Sequence, residues 1–351
     1  MMKRTCFALL LTLSLLLGLT ACSSAGKPSE ETDPKKTSTQ EAFTVQDMMG
    51  NVVDFDAPAQ RCVSCYYGTS YAMIALGLQD KLVGIEAKAE KRPLYANAAP
   101  ELLELPNVGS LKEFNPEAAI ALKPDVVFLN KKLLEYKDTL EAVGIRVLMV
   151  DMETQEQFEE MLRLFATVCG KPEAAEALLG YYQEQFQQVA TLTGSLSAQE
   201  KPVVYLGAPA EYLSTCPDSM YQAALIANAG GVNAANKLEG DYWTAVSYEQ
   251  ILVMNPDIIV LPTEAEYTVE DVKNDAALAD VTAVKNGAVY HMPTGLDAWD
   301  SPGPSCALGQ KYLLSVIHPE LYSMDQLRSD VTAFYQTYFG FTINDSILPL
   351  T

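Results

Sequence analysis

Two stretches of the sequence match each other and decide the fold. Residues 115–129 are NPEAAIALKPDVVFL, and residues 247–261 are SYEQILVMNPDIIVL. Their Glu, Pro, Asp and final Leu coincide at a constant offset of 132 residues. In each copy a capping residue precedes a short helix, a proline ends it, and an uninterrupted apolar strand follows. Such strands are typical of a parallel sheet that is buried on both faces.

Other short apolar segments alternate with helical patterns along the chain. The pattern predicts strands at 82–85, 147–150, 203–206 and 289–291, and helices at 70–78 and 133–143. Strand–helix alternation implies βαβ units. Because the two matched stretches lie in different halves of the chain, the simplest architecture is a pair of related α/β lobes.

One long helix is predicted between the lobes. Leu178, Tyr182, Phe186 and Val189 recur at spacings of three and four, which marks one helical face. A helix of about 21 residues spans roughly 30 Å, enough to bridge two lobes. The predicted body is therefore a first lobe over 43–171, a connecting helix over 172–193, and a second lobe over 194–351 that ends in two helices after Pro304.

The first 42 residues are predicted to carry an export signal and a tether. Lys3 and Arg4 precede an apolar run of about a dozen residues, and Leu-Thr-Ala-Cys22 follows. This order is typical of a secretory signal over 1–21. The apolar run is too short to span a membrane, which needs roughly 20 apolar residues. A short buried or anchoring helix is the alternative. The ending resembles a bacterial lipobox, which implies diacylation of Cys22 and stable anchoring. Residues 22–42 are polar and predict a flexible tether.

The charge of the chain excludes some partners. Its formal charge is −21, and removal of Lys3 and Arg4 with the signal leaves 22 basic against 45 acidic residues. Such a surface repels nucleic acid and anionic lipid headgroups, so neither is an expected partner. The 49% content of hydrophobic residues is typical of a globular body rather than a disordered one.

The cysteines and histidines argue against a resident metal or a redox motif. The body has five cysteines, an odd number whose pairing stays open: Cys62, Cys65, Cys169, Cys216 and Cys306. Cys62 and Cys65 have redox-motif spacing, but residues three apart on a strand face opposite ways, and no second such pair completes a zinc site. Nitrogen-rich sites need several histidines, whereas His291 and His318 are both interpreted as structural. No cofactor and no bare metal is expected.

Taken together, these features resemble the class III substrate-binding proteins of bacterial ABC importers, the helical-backbone receptors for iron–siderophores, haem and vitamin B12. The resemblance covers the chain from Phe43 onward. Its further pieces, in the family's order, are an opening β-hairpin at 47–53, a first core strand at 61–64, and the segments 76–84, 108–110, 229–233 and 318–320. It implies two Rossmann-like lobes joined by a single long helix, in an extracytoplasmic, lipid-anchored monomer.

The same resemblance gives the matched glutamates a role. Glu117 and Glu249 both occupy the second helical position after a cap. In the similar family, a glutamate at this position of each lobe forms salt bridges with arginines of the permease. An ABC permease dimer and its ATPase are therefore the implied partners. The alternative is that each carboxylate only complements the helix dipole, worth about 0.3–1 kcal/mol.

The ligand is expected in the cleft between the lobes, at the carboxyl ends of the strands. Candidate contacts are aromatic, basic or hydroxyl-bearing residues that follow predicted strands: Tyr66, Tyr67, Lys88, Arg92, Tyr95 and Lys131 on the first lobe, and Tyr212, Tyr242, Trp243, Trp299 and Ser301 on the second. Aromatic faces can hold a large planar or chelated ligand, and a local basic cluster suits an anionic complex. The two tryptophans are the strongest candidates; ordinary surface loops are the alternative.

The predicted function is capture of a metal chelate, a ferric siderophore first, and its delivery to the permease without chemistry. A corrinoid, haem or an oxyanion such as molybdate stays open as the ligand. So does the compartment, a periplasm or a Gram-positive surface. An enzyme is less favoured, although chelatases share a related fold, because the sequence has no nucleophile elbow, GxGxxG or P-loop. A lipid-anchored sensor or adhesin on the same fold is the remaining alternative.

Overall fold

In the computed structural model, which describes residues 42–350, each lobe is built around a four-stranded parallel sheet. The strands of the first lobe are β1 (Phe43–Gln46), β2 (Val52–Phe55), β3 (Cys62–Ser64), β4 (Leu82–Gly84), β5 (Val126–Asn130) and β6 (Arg146–Val150). Its helices are α1 (Tyr67–Ala75), α2 (Pro93–Ala98), α3 (Pro116–Ala121), α4 (Lys137–Glu141) and α5 (Gln155–Val168). Strands β1 and β2 form the predicted hairpin, and the sheet has the order β4-β3-β5-β6.

The connecting helix α6 (Pro172–Thr193) leads to the second lobe. The strands there are β7 (Val203–Leu206), β8 (Ser214–Thr215), β9 (Val232–Asn233), β10 (Thr244–Ala245), β11 (Ile258–Leu261) and β12 (Val289–His291). The helices are α7 (Tyr221–Asn228), α8 (Tyr248–Met254), α9 (Val269–Lys273), α10 (Thr282–Lys285), α11 (Cys306–Ile317) and α12 (Met324–Tyr338). The order β12-β11-β7-β9 repeats the topology of the first sheet. The predicted two-lobed α/β fold is confirmed.

The aspartate of each matched stretch makes the same type of hydrogen bond in its own sheet. The carboxylate of Asp125 accepts the N–H groups of Gln60 and Arg61 at 2.8 and 2.9 Å, directly before β3. Asp257 accepts the N–H of Val203 at 2.8 Å, at the start of β7. Each aspartate therefore ties the strand that follows its proline to the first strand of the same sheet.

The residue before each of the two prolines has a left-handed backbone. Lys123 has a φ of 48° and Asn255 a φ of 40°. A proline disfavours helical geometry in the residue that precedes it, and a left-handed residue commonly ends a helix. Helices α3 and α8 therefore end within one residue of corresponding points, and the chain turns directly into β5 and β11.

Two helices differ from the predicted bounds. The helix predicted over 70–78 begins earlier, as α1, and Gly77 follows its end with a φ of 63°. The helix predicted over 133–143 is split into a 3₁₀ segment, Lys131–Tyr136, and α4. The reason is local, since Leu133 leaves the helical region at φ −107° and ψ 18°.

Helix α6 packs against the C-terminal helices. Lys311 on α11 is 1% exposed and donates to Gln185 on α6 and to Asp330 on α12. Tyr182 on α6 donates its hydroxyl to the carbonyl of Pro304 at 2.8 Å. A buried ammonium is costly unless it is paired and hydrogen-bonded, so these contacts fix α11 and α12 against the connecting helix.

The prediction that Cys62 and Cys65 face opposite ways is confirmed. Cys62 belongs to the large core that also includes residues of α5, α6 and α11, and Cys65 to the core on the other face of the first sheet. The sulfur of Cys62 lies 3.8 Å from that of Cys169, and both are free thiols. The spacing of the first pair therefore reflects strand geometry and not a redox site.

The N-terminal predictions lie outside the described residues. The signal over 1–21, the lipidation site Cys22 and nearly all of the tether precede residue 42. Within residues 42–350, no helix has the length and apolar character needed to cross a membrane.

A pair of glycine substitutions tests the packing of α11. An alanine Cβ at Gly309 would lie 1.8 Å from the carbonyl oxygen of Trp299, whereas a Cβ at Gly180 in α6 would meet open space. We expect Gly309→Ala to destabilise the protein by about 2–3 kcal/mol because the backbone must shift. The matched control Gly180→Ala should stabilise it by about 0.5–1 kcal/mol. Urea unfolding measures both, and equal stability of the two variants would contradict the close approach.

Candidate ligand-binding site

Loops at the carboxyl ends of both sheets line a cleft between the lobes. It contains a cavity of about 480 Å³ and an adjoining one of about 190 Å³. Tyr67, Tyr71 and Asp297 border both cavities, so the two are parts of one cleft. Small-molecule sites of roughly 300–1,000 Å³ are typical, and ligands of α/β sheets bind at this edge.

A run of tyrosines forms the first-lobe wall. The rings of Tyr66 and Tyr67 are 4.4 Å apart, those of Tyr67 and Tyr71 are 5.6 Å apart, and those of Tyr71 and Tyr95 are 5.3 Å apart. The guanidinium of Arg92 lies 3.7 Å from the centre of the Tyr67 ring. This cation–π contact holds the positive charge of Arg92 at the cleft.

A buried carboxylate, that of Glu86, binds the first-lobe wall from the core side. Glu86 is 5% exposed and accepts hydrogen bonds from the hydroxyls of Tyr95 and Ser70, the latter at 2.8 Å. Burial raises the pKa of Glu86 above its ordinary value. Tyr95 is itself fully buried, so it supports Tyr71 from the core and does not line the cleft, contrary to the prediction.

The second-lobe wall is the loop between β12 and α11. Trp299 in this loop is fully buried, and its indole N–H donates to the hydroxyl of Tyr335 at 3.1 Å. The carboxylate of Asp300 accepts the backbone N–H of Thr263 at 2.9 Å. The backbone carbonyl of Asp300 accepts the side-chain amide N–H of Gln222 at 2.8 Å. Trp299 is therefore an anchor of the loop and not part of the cleft surface, contrary to the prediction.

Asp297 is a buried acidic residue of this loop at the edge of the cleft. The residue borders both cavities although it is only 7% exposed. One carboxylate oxygen accepts from the hydroxyl of Tyr335 at 2.6 Å, while the other, Oδ2, has no hydrogen-bond partner among the described residues. Burial raises the pKa of Asp297 to about 6.

The structure brings together about half of the predicted contact residues. Those that line the cleft are Tyr66, Tyr67, Arg92, Tyr242, Trp243 and Ser301. Those that do not are Lys88, Tyr95, Lys131, Tyr212 and Trp299. Contact of the first group with a ligand stays a prediction.

Three of the residues that do not line the cleft, Lys131, Tyr212 and Lys88, lie elsewhere on the lobes. The ammonium of Lys131 lies 2.7 Å from Asp151 and 3.1 Å from Glu153. Tyr212 donates its hydroxyl to Asp275 at 2.8 Å inside the second lobe. Lys88 is exposed on a loop outside both cavities.

The expected basic cluster is not formed. The cleft is bordered by three basic residues, Lys91, Arg92 and Lys132, and by four acidic ones, Glu153, Asp241, Glu264 and Asp297. Of the lysines expected there, Lys88 lies outside both cavities and Lys131 forms an ion pair with Asp151. Lys132, the neighbour of Lys131, borders the cavity instead. The cleft is aromatic and mixed in charge.

Tyr71, Tyr221 and Asp297 are among the cleft residues that the sequence analysis does not predict. Tyr71 follows Tyr67 by four residues on α1, so helical spacing alone could have indicated it. Asp297 follows the last strand of the second sheet, at the same edge as the predicted contacts. Tyr221 gives no comparable signal in the sequence.

Both histidines take structural roles, as interpreted. The ring nitrogen Nε2 of His291 lies 3.0 Å from the carbonyl of Pro262. That of His318 lies 3.1 Å from the carbonyl of Gly230, and its Nδ1 lies 3.2 Å from Glu320. Within residues 42–350, no group of three or more His, Cys, Asp or Glu side chains is placed to hold a metal ion.

The two matched glutamates lie on exposed first turns, one on each lobe. Asn115 caps α3 by accepting the N–H of Ala118 at 2.9 Å, and Ser247 caps α8 by accepting that of Gln250 at 3.3 Å. Glu117 and Glu249 are exposed, and neither forms a salt bridge with a described residue. The hydroxyl of Ser247 lowers the pKa of Glu249, so this carboxylate is held in its charged form.

Comparisons with known proteins agree on the type of protein. A family model described as "Periplasmic binding protein" matches residues 63–296. The molybdate-binding protein MolA of Haemophilus influenzae is 26% identical and covers 84% of this chain and 90% of its own length. The substrate-binding lipoprotein YvrC of Bacillus subtilis, an uncharacterised ABC transporter component, is 24% identical over 88% of this chain and 96% of its own. A periplasmic solute-binding protein of Veillonella parvula superposes with a TM-score of 0.76 at 28% identity, over 87% of this chain and 95% of its own.

A substitution at Asp297 tests the cost of its buried charge. The rise of its pKa from 3.8 to about 6 means that ionisation destabilises the fold, by about 3 kcal/mol at most. Asp297→Asn keeps an acceptor for Tyr335, so we expect a gain of about 2 kcal/mol at pH 7.5. The gain should shrink as the pH falls through 6 and drop below about 1 kcal/mol near pH 4, where the unchanged carboxyl is protonated in the folded chain and partly protonated in the unfolded chain.

Unfolding by urea between pH 4 and pH 8 measures this difference. Asp241→Asn, at an exposed acidic residue of the cleft rim, is the matched control and should change stability little at any pH. A destabilised Asp297→Asn variant with a pH-independent difference would contradict the assignment.

Proposed function

Because this chain belongs to the periplasmic binding protein family, as a class III substrate-binding component of an ABC importer, we propose that it captures a ferric siderophore outside the cytoplasm and delivers it to the permease. It is a transport component and not an enzyme. The observation that carries the ligand proposal is the aromatic cleft between the lobes, lined by Tyr66, Tyr67, Tyr221, Tyr242 and Trp243.

The chemistry of the cleft favours a chelate over a bare anion. Aromatic rings supply broad apolar faces with polar edges, which suit the organic shell of an iron complex. Arg92, fixed over Tyr67, adds one cation for an anionic oxygen of that shell. The four carboxylates that border the cleft oppose a small, highly charged anion.

An oxyanion is the second candidate ligand, because one observation favours it. MolA, whose name describes it as molybdate-binding, matches 84% of this chain. An oxyanion would have to lie against Arg92 and away from Asp297. Corrinoid and haem ligands fit the aromatic character of the cleft but have no further support from a particular residue.

The paired glutamates support docking on a permease with two-fold symmetry. Glu117 and Glu249 occupy corresponding places on lobes of the same topology, and both are exposed. Arginines on the two permease subunits would meet one carboxylate each. Next to Glu249, Val253 is 85% exposed, so this side of the docking surface also offers an apolar contact.

The N-terminal sequence supports a lipid anchor at Cys22 and a place on the outer face of the cell membrane. The chain is an extracytoplasmic binding protein by family, and YvrC is described as a lipoprotein. An anchor with a flexible tether keeps the receptor close to its permease and raises the effective concentration for docking. Detection of the mature chain with acylated Cys22 by mass spectrometry would test this directly.

Binding assays separate the candidate ligands. The full chain, purified in mild detergent, is incubated with a ferric trihydroxamate, haem, cobalamin or molybdate and passed through a desalting column. We expect the iron complex to co-elute at one per chain, detected by visible absorbance. Co-elution of molybdate alone, detected by elemental analysis, would favour the second candidate instead.

A matched pair of variants tests the site of binding. Arg92→Ala removes the cation that lies over Tyr67 and should weaken binding of the iron complex at least tenfold. Lys88→Ala removes an exposed cation outside both cavities and should leave the affinity unchanged. Equal effects of the two substitutions would place the ligand elsewhere.

Charge reversal tests the docking proposal. Glu117→Arg and Glu249→Arg should each reduce uptake in cells severalfold, and together abolish it, because arginine would repel the permease arginines. Affinity for the ligand should not change. Asp138→Arg and Glu270→Arg, also in exposed first turns, are the controls, and wild-type uptake by the double variant at 117 and 249 would refute docking there.

A further inference from the structure

Two buried cysteines of the first lobe lie close to each other in space. Cys62 is the first residue of β3, and Cys169 directly follows the last residue of α5. Their sulfurs are 3.8 Å apart, although the two residues are 107 positions apart in the sequence. They are 0% and 4% exposed. The fold therefore brings together two thiols from opposite ends of the first lobe.

The backbone holds both cysteines in place. Cys62 lies in the sheet between β4 and β5, and it is paired with both strands. The N–H of Cys169 donates to a carbonyl of the last turn of α5 at 2.9 Å. A hydrogen bond of 2.8 Å from the N–H of Ala59 to the carbonyl of Val168 links the two segments directly. The closeness of the sulfurs is therefore a property of the fold and not of one mobile side chain.

Only a small movement separates this pair from a disulfide. Bonded sulfurs lie about 2.05 Å apart, so two sulfurs at 3.8 Å must approach by about 1.8 Å in total. Shared between the two side chains, this is about 0.9 Å for each sulfur. Small rotations about the two Cα–Cβ bonds supply such a movement, so the sheet and α5 can keep their positions.

The other cysteines of the described chain do not compete for either thiol. Cys65 belongs to the core on the opposite face of the sheet. Cys216 and Cys306 belong to the second lobe, after β8 and at the start of α11. Among residues 42–350, Cys62 and Cys169 are the one pair of cysteines in hydrogen-bond contact. The odd number of cysteines is thereby explained as one close pair and three single thiols.

The location of the protein supplies oxidising conditions. Periplasmic binding proteins work outside the cytoplasm, where disulfides form and persist. In the folded chain, the hydrogen bond with Cys169 and burial raise the pKa of the Cys62 thiol. Because the thiolate is the reactive form, the folded pair is unreactive. A bond between the two must therefore form while the exported chain folds, before the pair is buried.

We propose that Cys62 and Cys169 form a disulfide when the exported chain folds. The oxidant is another disulfide in that compartment. The thiolate of one cysteine attacks a sulfur of the oxidant and releases one oxidant thiolate, and the second cysteine then attacks the mixed disulfide and releases the other. The pair loses two protons and two electrons, which the oxidant takes up as it becomes two thiols.

The disulfide encloses nearly all of the first lobe. It joins the first strand of the sheet to the end of α5, shortly before α6 begins at Pro172. A cross-link that closes a long loop restricts the unfolded chain strongly. The bond therefore stabilises the first lobe at its junction with the connecting helix, whichever ligand the cleft binds.

Peptide mapping of the exported chain tests the proposal. The full chain is expressed with its own signal in a Gram-negative host, and free thiols are blocked with N-ethylmaleimide in guanidinium at lysis. After tryptic digestion without reductant, we expect one pair of peptides joined through Cys62 and Cys169, with Cys65, Cys216 and Cys306 alkylated. Cys62 and Cys65 fall in one tryptic peptide because no Lys or Arg lies between them, so fragmentation must locate the alkylated residue. Alkylation of all five cysteines, or a different pairing, would overturn the proposal.

Thermal unfolding measures the effect of the bond. After unfolding and refolding with dithiothreitol, the unchanged chain should lose about 5 °C or more in Tm. The double variant Cys62→Ala and Cys169→Ala should not respond to the reductant. Cys65→Ala, at the buried cysteine on the other face of the sheet, is the matched control and should keep the full response. No response in the unchanged chain, or an equal response in the double variant, would overturn the proposal.

Discussion

The second-lobe wall of the cleft depends on a single hydroxyl group, that of Tyr335. It donates to Asp297, accepts from the indole of Trp299 and contacts Ser305. Tyr335 is fully buried on α12, so the wall is held from the core of the second lobe. Burial raises the pKa of Asp297, so its buried carboxylate depends on this network for a hydrogen-bond donor.

The connecting helix joins this network to the rest of the molecule. Tyr182 on α6 holds the carbonyl of Pro304, and Lys311 joins α6, α11 and α12 through Gln185 and Asp330. These contacts fix α6 against the helices of the second lobe, and α5 of the first lobe packs against α6 as well.

Much of the fold could be predicted from the sequence because the duplication carries a physical constraint. Pro and Asp recur in both copies since the proline stops a helix and the aspartate ties two strands. The contact residues were harder to predict. Trp299 and Trp243 both fall in predicted cleft loops, and only tertiary packing decides that one is buried and the other lines the cleft. The sequence analysis predicts Lys131 at the cleft, but its neighbour Lys132 borders the cavity instead. An error of one residue in the chain position decides which of the two lysines lies there.

The proposed docking surface and the proposed ligand site therefore lie at different places on one frame. The measurement that tests this account most directly is anomalous diffraction at the iron edge from crystals of the chain with a ferric trihydroxamate. The account predicts one strong peak in the larger cavity, between the tyrosines of α1 and Trp243. A peak outside the cleft, or crystals that hold no iron after soaking at saturating concentration, would contradict it.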